Sequence, residues 1–365
     1  MREELQGLSI IADLLSSEFN LSINPIEVAY LVRNINIGEG CFNQCTHCFA
    51  SPPKEIRLMN IDSFSVLTKE FGIAVRHKHQ ILPFIFLGSS TDPSMIANFA
   101  SYAEIWIKSL PEWHPIKFYT HGWNLSSDVQ YSEFSRFLNI LKQFSSRITV
   151  IALSIDFFNI NARLDKEKYI NNIGHNLKEI RKCVPYNALK LVITYPIERL
   201  DVEDKYAIRY WRNLIEKQFI DDNIISDTLK SAMTPQEQLC AELTHSIFKI
   251  GQIAGFDKRA TSLMARDNGA PIPIGNALSY YKNRTTSDKE KSLSFWKNRT
   301  LKSLVNFPHK YDGLVICTNG AIRLIDYGNY KFESWLNKGM PAIPYIVSSL
   351  RDYSLQETKN EYIIK

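Results

Sequence analysis

Between residues 34 and 218, short apolar runs alternate with longer segments in which apolar residues recur every three to four positions. The runs lie at 35–37, 84–87, 116–119, 148–155 and 189–195, and the longer segments at 61–77, 93–110, 127–144, 166–183 and 203–219. The first pattern is typical of buried strands and the second of helices. Strands separated by helix-length segments favour right-handed β-α-β units and a parallel sheet. The sequence therefore predicts an α/β fold, a full or partial (β/α)6 barrel of the TIM type.

The pattern changes on both sides of this predicted core of residues 34–219. Residues 1–33 predict an N-terminal helical segment, amphipathic rather than a signal peptide. Residues 220–305 predict a helical and loop insertion, with a helix from the cap at Thr234 to about 253 and an irregular polar stretch at 257–300. Residues 306–365 predict a small C-terminal α+β extension. It would hold a hairpin at 313–326, with its turn at Thr318-Asn319-Gly320-Ala321, and a helix at 341–353.

Composition narrows the class of protein. No apolar run approaches the roughly 20 residues that cross a bilayer, so we expect no membrane association. Of six cysteines, three fall within eight positions, which favours a metal site in a reducing, cytoplasmic setting over a disulfide framework. The net charge of +5 is too small to indicate nucleic acid, but it suits a transient acidic partner such as an electron carrier.

The three clustered cysteines follow the first predicted strand. Cys41, Cys45 and Cys48 have the spacing C-x3-C-x2-C, in a loop that such a barrel places at its catalytic edge. Three thiolates are one fewer than a closed iron–sulfur or zinc site requires, so the metal would keep a free position. Two alternatives remain: a Cys3His zinc site that uses His47 or His77, and a non-catalytic electron-transfer or structural module.

With this motif, the chain resembles the radical S-adenosylmethionine superfamily. The resemblance implies that Cys41, Cys45 and Cys48 ligate a 4Fe-4S cluster whose free iron binds S-adenosylmethionine, with His47 near the adenine. It also implies that a flavodoxin- or ferredoxin-type donor reduces the cluster. Cleavage of S-adenosylmethionine would then yield a 5′-deoxyadenosyl radical, which abstracts hydrogen from the substrate.

Three later segments fall where that superfamily binds the rest of S-adenosylmethionine. The residues that the resemblance assigns to this role are Gly88, Ser89, Ser90, Ser154, Asp156, Arg163 and Val192. Each of the three segments has a simpler interpretation. Asp92, which ends the first segment, is equally suited to cap a helix that begins at Pro93, Asp156 to cap a loop and Arg163 to lie on the surface. Val192 belongs to an apolar strand whose residues are mostly core.

The substrate and the fate of its radical are left open by the sequence. The resemblance to peptide-modifying members, through Ser154-Ile155-Asp156 and the C-terminal hairpin, favours a peptide or natural product over other small molecules. If the reaction is an epimerisation, Cys240 or Cys317 would be the catalytic hydrogen donor. The simpler interpretation makes both of them small buried residues, as Cys183 would be. Cross-linking, dehydration and rearrangement are the other outcomes.

Overall fold

The computed structural model describes residues 3–41, 56–88, 91–156, 165–194, 245–269, 286–287, 313–326, 331–346 and 348–350. In these ranges the chain is a mixed α/β protein. The helices are α1 (Gln6–Phe19), α2 (Pro25–Leu31), α3 (Ile61–Lys78), α4 (Phe99–Ser109), α5 (Asp128–Gln143), α6 (Lys166–Ile180), α7 (245–253) and α8 (Lys258–Met264). The strands are β1 (Val32–Ile35), β2 (Gly38–Glu39), β3 (Arg57–Met59), β4 (Phe86–Leu87), β5 (Ile116–Thr120), β6 (Ile148–Asp156), β7 (Leu189–Thr194), β8 (Ala265–Gly269), β9 (Gly313–Ile316), β10 (Ile322–Asp326), β11 (Lys331–Trp335) and β12 (Ser348–Leu350).

The strands form three sheets. One has the order β5-β6-β7-β8 and is parallel throughout. A second has the order β11-β10-β9-β1-β4, in which β1 is parallel to both of its neighbours. The third, β12-β3-β2, is antiparallel. Among the described residues no ladder joins β4 to β5, and no closed barrel is found.

Each of the two larger sheets has one face that packs against helices. Phe118 of β5 lies on this face, with its ring 5.9 Å from Phe99 of α4 and 5.4 Å from Phe137 of α5. Because side chains alternate along a strand, Lys117 and Tyr119 point the other way. We call this other side the inner face. Strand register assigns to it Tyr119, Ala152, Ser154 and Val192 in one sheet. In the other sheet, register puts Asn34 and Val315 on the same face as Phe86, whose ring contacts Tyr119.

Helices pack closely because small residues stand at their crossings. A Cβ on Gly72 of α3 would lie 2.0 Å from the carbonyl oxygen of Ser109, which ends α4. A Cβ on Gly174 of α6 would lie 2.7 Å from the Cβ of Ile253 in α7. These glycines let the helix backbones approach each other more closely than any larger residue would.

Most predicted elements are confirmed within three residues at each end, except that α4 begins six residues after the predicted start at residue 93. The five predicted strands correspond to β1, β4, β5, β6 and β7, and four predicted helices to α3, α4, α5 and α6. The N-terminal helical segment and the hairpin of β9 and β10 are also confirmed. The predicted helix at 203–219 and the cap at Thr234 lie outside the described residues. Helix α7 ends where the helix predicted from Thr234 should end.

Two predictions about the C-terminal half are wrong. Residues 257–300 were expected to be irregular, but α8 and β8 occupy 258–269, and β8 extends the parallel sheet beside β7. Residues 341–353 were expected to be helical, but 341–346 form turns and β12 pairs with β3. In both places the strand-pairing partner, which lies far away in sequence, determines the structure.

Among the described residues, none of the helices has the length and apolar character needed to cross a bilayer.

Candidate functional site

The predicted cysteine loop begins at the carboxyl end of β1. Strand β2 follows β1, then Gly40 with φ 111°, then Cys41, which is half-buried. The glycine turns the chain with a backbone angle that other residues rarely adopt. Cys45, Cys48 and His47 lie outside the described residues, so their predicted roles stay predictions.

The loop after β4 touches the base of the cysteine loop. The backbone N–H of Gly88 donates to the carbonyl of Ile35 at 3.0 Å, and the hydroxyl of Thr91 donates to the carbonyl of Gly40. Gly88 has φ +90°, and a Cβ there would lie 2.9 Å from the carbonyl oxygen of Thr91. The structure therefore brings Gly88 and Cys41 to one edge, formed by two adjacent parallel strands. Ser89 and Ser90 lie outside the described residues.

Asp92 has a structural role in this loop. Its carboxylate accepts from the backbone N–H of Ser94 at 2.9 Å and caps a short 3-10 helix that begins at Pro93. The same buried carboxylate accepts from the hydroxyl of Thr120 at 2.8 Å and from the backbone N–H of His121 at 2.7 Å. The helix-cap interpretation is confirmed, and Asp92 also joins the loop after β4 to the end of β5.

Strands β6 and β7 bring two further predicted residues to the inner face. Ser154 is paired in register with Val192, and two pairs farther along Asp156 is aligned with Thr194 at the carboxyl end. Ser154 is half-buried, while Val192 is buried but does not belong to the main hydrophobic core. The burial of Ser154 and Val192 agrees with side chains that point away from the helices and toward the inner face. Arg163 lies outside the described residues.

The cysteines outside the motif differ in their surroundings. Cys317 follows β9 on the inner face and is 1% exposed, in a small apolar cluster with Val315, Ala321 and Ile325. Cys183 lies after α6, where burial raises the pKa of its thiol. Cys240 lies outside the described residues. The buried interpretation of Cys317 is therefore confirmed, and its role as a hydrogen donor stays a prediction.

Four inner-face residues near this edge were not predicted. The rings of Phe84, Phe86 and Tyr119 contact one another with centroids 4.3 to 5.5 Å apart, and Phe86 is 43% exposed. Burial raises the pKa of Tyr119. His121 follows β5, and its buried Nδ1 has no hydrogen-bond partner. The alternation 117, 119, 121 could have identified the last two, because every second residue of a strand shares a face.

The loop after β5 is fixed from α6. The side chain of Asn176 accepts from the backbone N–H of Trp123 at 3.0 Å and donates to its carbonyl at 2.7 Å. Asn172 donates to the same carbonyl at 2.7 Å and accepts from the N–H of Leu125 at 3.0 Å. Trp123 is fully buried against Phe134, with ring centroids 5.1 Å apart. His121 thus lies between two anchored points, Asp92 and Trp123.

A surface pocket lies near the amino end of β7, at the ends of the strands opposite to the cysteine loop. This surface pocket of about 310 Å³ is lined by Arg181, Tyr186 and Leu189, among others. The guanidinium of Arg181 donates to the carbonyls of Ala254 and Gly255 at 2.7 and 2.6 Å. Its side chain therefore ties α6 to the turn after α7, and the pocket is remote from the cysteine loop.

The described residues contain no group of three or more His, Cys, Asp or Glu side chains arranged to hold a metal ion. Because two of the three predicted ligands are outside those residues, the cluster stays a prediction. Comparison with family models, curated proteins and solved structures gave no match to this chain.

Proposed function

We propose that this chain is a radical S-adenosylmethionine enzyme in which Cys41, Cys45 and Cys48 hold a 4Fe-4S cluster. The observation that carries the proposal is the contact between two loops at one sheet edge. The Thr91 hydroxyl bonds to the carbonyl next to Cys41, and Gly88 bonds back to β1. Cysteine spacing and strand edge thus point to the same place, where parallel α/β proteins bind their ligands.

The proposed fold is a partial barrel of six parallel strands, in the order β1, β4, β5, β6, β7 and β8. The ladders of β1 with β4 and of β5 through β8 supply its two parts. The two parts are in contact on the inner face through the rings of Phe86 and Tyr119, whose centroids are 5.5 Å apart. This partial barrel would present all six carboxyl ends on one side.

The described residues fit a cluster with a bound cofactor. Cys41 is half-buried, so its thiol is partly shielded from water. Gly88 lets the loop after β4 fold tightly at this edge, since a Cβ there would collide with the carbonyl oxygen of Thr91. Ser154 and Val192 lie side by side on the inner face, so one offers a hydroxyl and the other an apolar surface.

When reduced, such a cluster supplies the electron that cleaves S-adenosylmethionine. The chain's own residues then have three tasks. Cys41, Cys45 and Cys48 hold the metal through thiolates. The backbone of Gly88–Ser90 and the side chains of Ser154 and Arg163 orient the cofactor through hydrogen bonds and charge. Val192 and the aromatic rings of the inner face exclude water from the reacting carbon.

A peptide or natural product is the proposed substrate. The exposed ring of Phe86, with Phe84 and Tyr119 in contact, offers an aromatic surface to an apolar part of such a molecule. The net charge of +5 supports an acidic electron donor of the flavodoxin or ferredoxin type. The clustering of three cysteines within eight positions supports a reducing cytoplasm as the place of work.

The test is anaerobic reconstitution with iron and sulfide, followed by reductant and S-adenosylmethionine. We expect bound iron and release of 5′-deoxyadenosine from the unaltered chain, and neither from Cys45→Ala. Cys183→Ala is the matched control and should behave like the unaltered chain, because Cys183 lies outside the motif. Zinc instead of iron, or bound iron without 5′-deoxyadenosine, would overturn the proposal in favour of a non-catalytic module.

A further inference from the structure

The cysteine loop is the connection of a short hairpin. Strand β2 ends at Glu39 and β3 begins at Arg57, and the two strands pair with Glu39 opposite Arg57 and Gly38 opposite Leu58. The N–H of Met59 donates to the carbonyl of Ile37 at 2.9 Å. With two residues, β2 is too short to hold a long loop by its own pairing.

The other edge of β3 is occupied by the C-terminal strand. Ser348, Ser349 and Leu350 of β12 pair with Met59, Leu58 and Arg57 in antiparallel register. The C-terminal segment thus braces the hairpin from which the cysteines project, on the side away from β2.

A buried carboxylate secures that segment on its way to β3. Glu70 of α3 accepts from the N–H groups of Gly7 and Leu8 at 3.0 and 2.9 Å, at the start of α1. The hydroxyl of Tyr345 donates to the same carboxylate. The hydroxyl of Ser63 donates to the carbonyl of Tyr345. Tyr345 therefore lies at a junction of α1, α3 and the C-terminal segment.

The segment is also held at its beginning. The N–H groups of Ala342 and Ile343 approach the carbonyl of Gly320 at 3.1 and 3.3 Å, in the turn between β9 and β10. Ile343 and Ile346 are buried. Two anchors, Gly320 and Glu70, thus fix the chain immediately before β12.

We propose that residues 342–346 together with β12 act as a clamp on the hairpin of β2 and β3, with Tyr345 as its positioning residue. The clamp holds the paired strands β2 and β3 in place at the base of the cysteine loop, where Cys41 lies. Loss of the Tyr345 hydroxyl should loosen β12 first and the hairpin next, while α5, α6 and the sheet β5–β8 remain unaffected. The inference rests on the proposed function only for the role of the cysteine loop as a metal-binding loop. The clamp itself is formed by the protein chain and does not require a bound metal.

The test compares Tyr345→Phe with Tyr30→Phe in metal-free, reduced protein. Tyr30 is the matched control, since its hydroxyl also makes one hydrogen bond, to the carbonyl of Gln80 at 3.0 Å, away from the hairpin. Iodoacetamide alkylation is followed for each cysteine by peptide mass spectrometry, and the urea midpoint is measured for each variant. We expect Tyr345→Phe to raise the alkylation rate of Cys41 about fivefold, as the loss of one hydrogen bond would. Cys183 should keep its rate.

Hydrogen exchange of residues 57–59 gives a second readout, and it should quicken in Tyr345→Phe alone. An unchanged rate at Cys41 would overturn the clamp. Equal acceleration at Cys41 and Cys183 would also overturn it, because it would show general destabilisation. Neither result depends on S-adenosylmethionine cleavage, so failure of the clamp and failure of the proposed function are distinguished.

Discussion

Single residues determine the geometry of the candidate edge. Gly88 combines a positive φ with a position where a Cβ would approach a backbone oxygen of its own loop. Thr91, whose carbonyl it would strike, is the residue that bonds to Gly40. A change at Gly88 should therefore reach the cysteine loop without altering any residue in it.

Gly88→Ala is expected to lower the free energy of unfolding by about 1–3 kcal/mol, since it adds both backbone strain and a collision. Urea unfolding measures this loss. Gly339→Ala is the control for strain alone, because Gly339 has φ +78° but its Cβ would meet only the Trp335 ring, at 3.3 Å or more. An equal loss in the two variants would show that the contact with Thr91 is unimportant.

Sequence patterns identified this edge only in part at the residue scale. The cysteine spacing and Gly88 stand out because their chemistry is unusual. Asp92 was ambiguous, since a carboxylate before a proline suits a ligand or a cap equally, and the bond from the Ser94 N–H shows the cap. Tyr119 and His121 were missed because they alternate with core residues inside an apolar strand and its end.

At the scale of elements, sequence predicts what is stabilised locally. Strands β5, β6 and β7 were found because each contains consecutive apolar residues that are buried on one face or both. The sequence of β8, Ala265-Arg266-Asp267-Asn268-Gly269, has no such signal, and its structure depends on pairing with β7. Strand β12, Ser348–Leu350, is defined by β3 in the same way.

Helix α6 shows how one element positions another. Asn176 is fully buried and satisfies both backbone groups of Trp123, so α6 sets the path of the loop after β5. Asn176→Ala should cost about 1–3 kcal/mol, because the N–H of Trp123 loses its partner inside the core. The near-ultraviolet circular dichroism of the tryptophans and urea unfolding report the change.

Asn172→Ala is the comparison for that element. Its removal leaves the carbonyl of Trp123 bonded to Asn176 and frees the N–H of Leu125, which is only half-buried. We expect a smaller loss of stability than in Asn176→Ala. If the order is reversed, the loop is held mainly through Leu125 and the account given for Trp123 is wrong.

At the scale of the whole molecule, distant parts of the chain complete the central sheets. Strand β1 has β9 on one side and β4 on the other, so residues beyond 312 supply one of its two neighbouring strands. Strand β7 has β8 as its second neighbour, from beyond 264. The helix α7 packs on α6 through Gly174 and Ile253.

This arrangement makes a prediction about the boundary at residue 219. A fragment of residues 1–219 would keep the cysteine motif and most predicted β-α units, yet lack α7, α8, β8 and β9. Edges of β1 and β7 would then be exposed, along with the apolar faces of Ile35, Leu191 and Ile193 that are buried in the full chain. Exposed strand edges of this kind favour aggregation over folding.

We therefore expect that the fragment shows no cooperative urea transition and a shift to large species in gel filtration, whereas the full chain unfolds cooperatively. A monomeric fragment with a sharp transition would show that residues 34–219 are a folding unit by themselves.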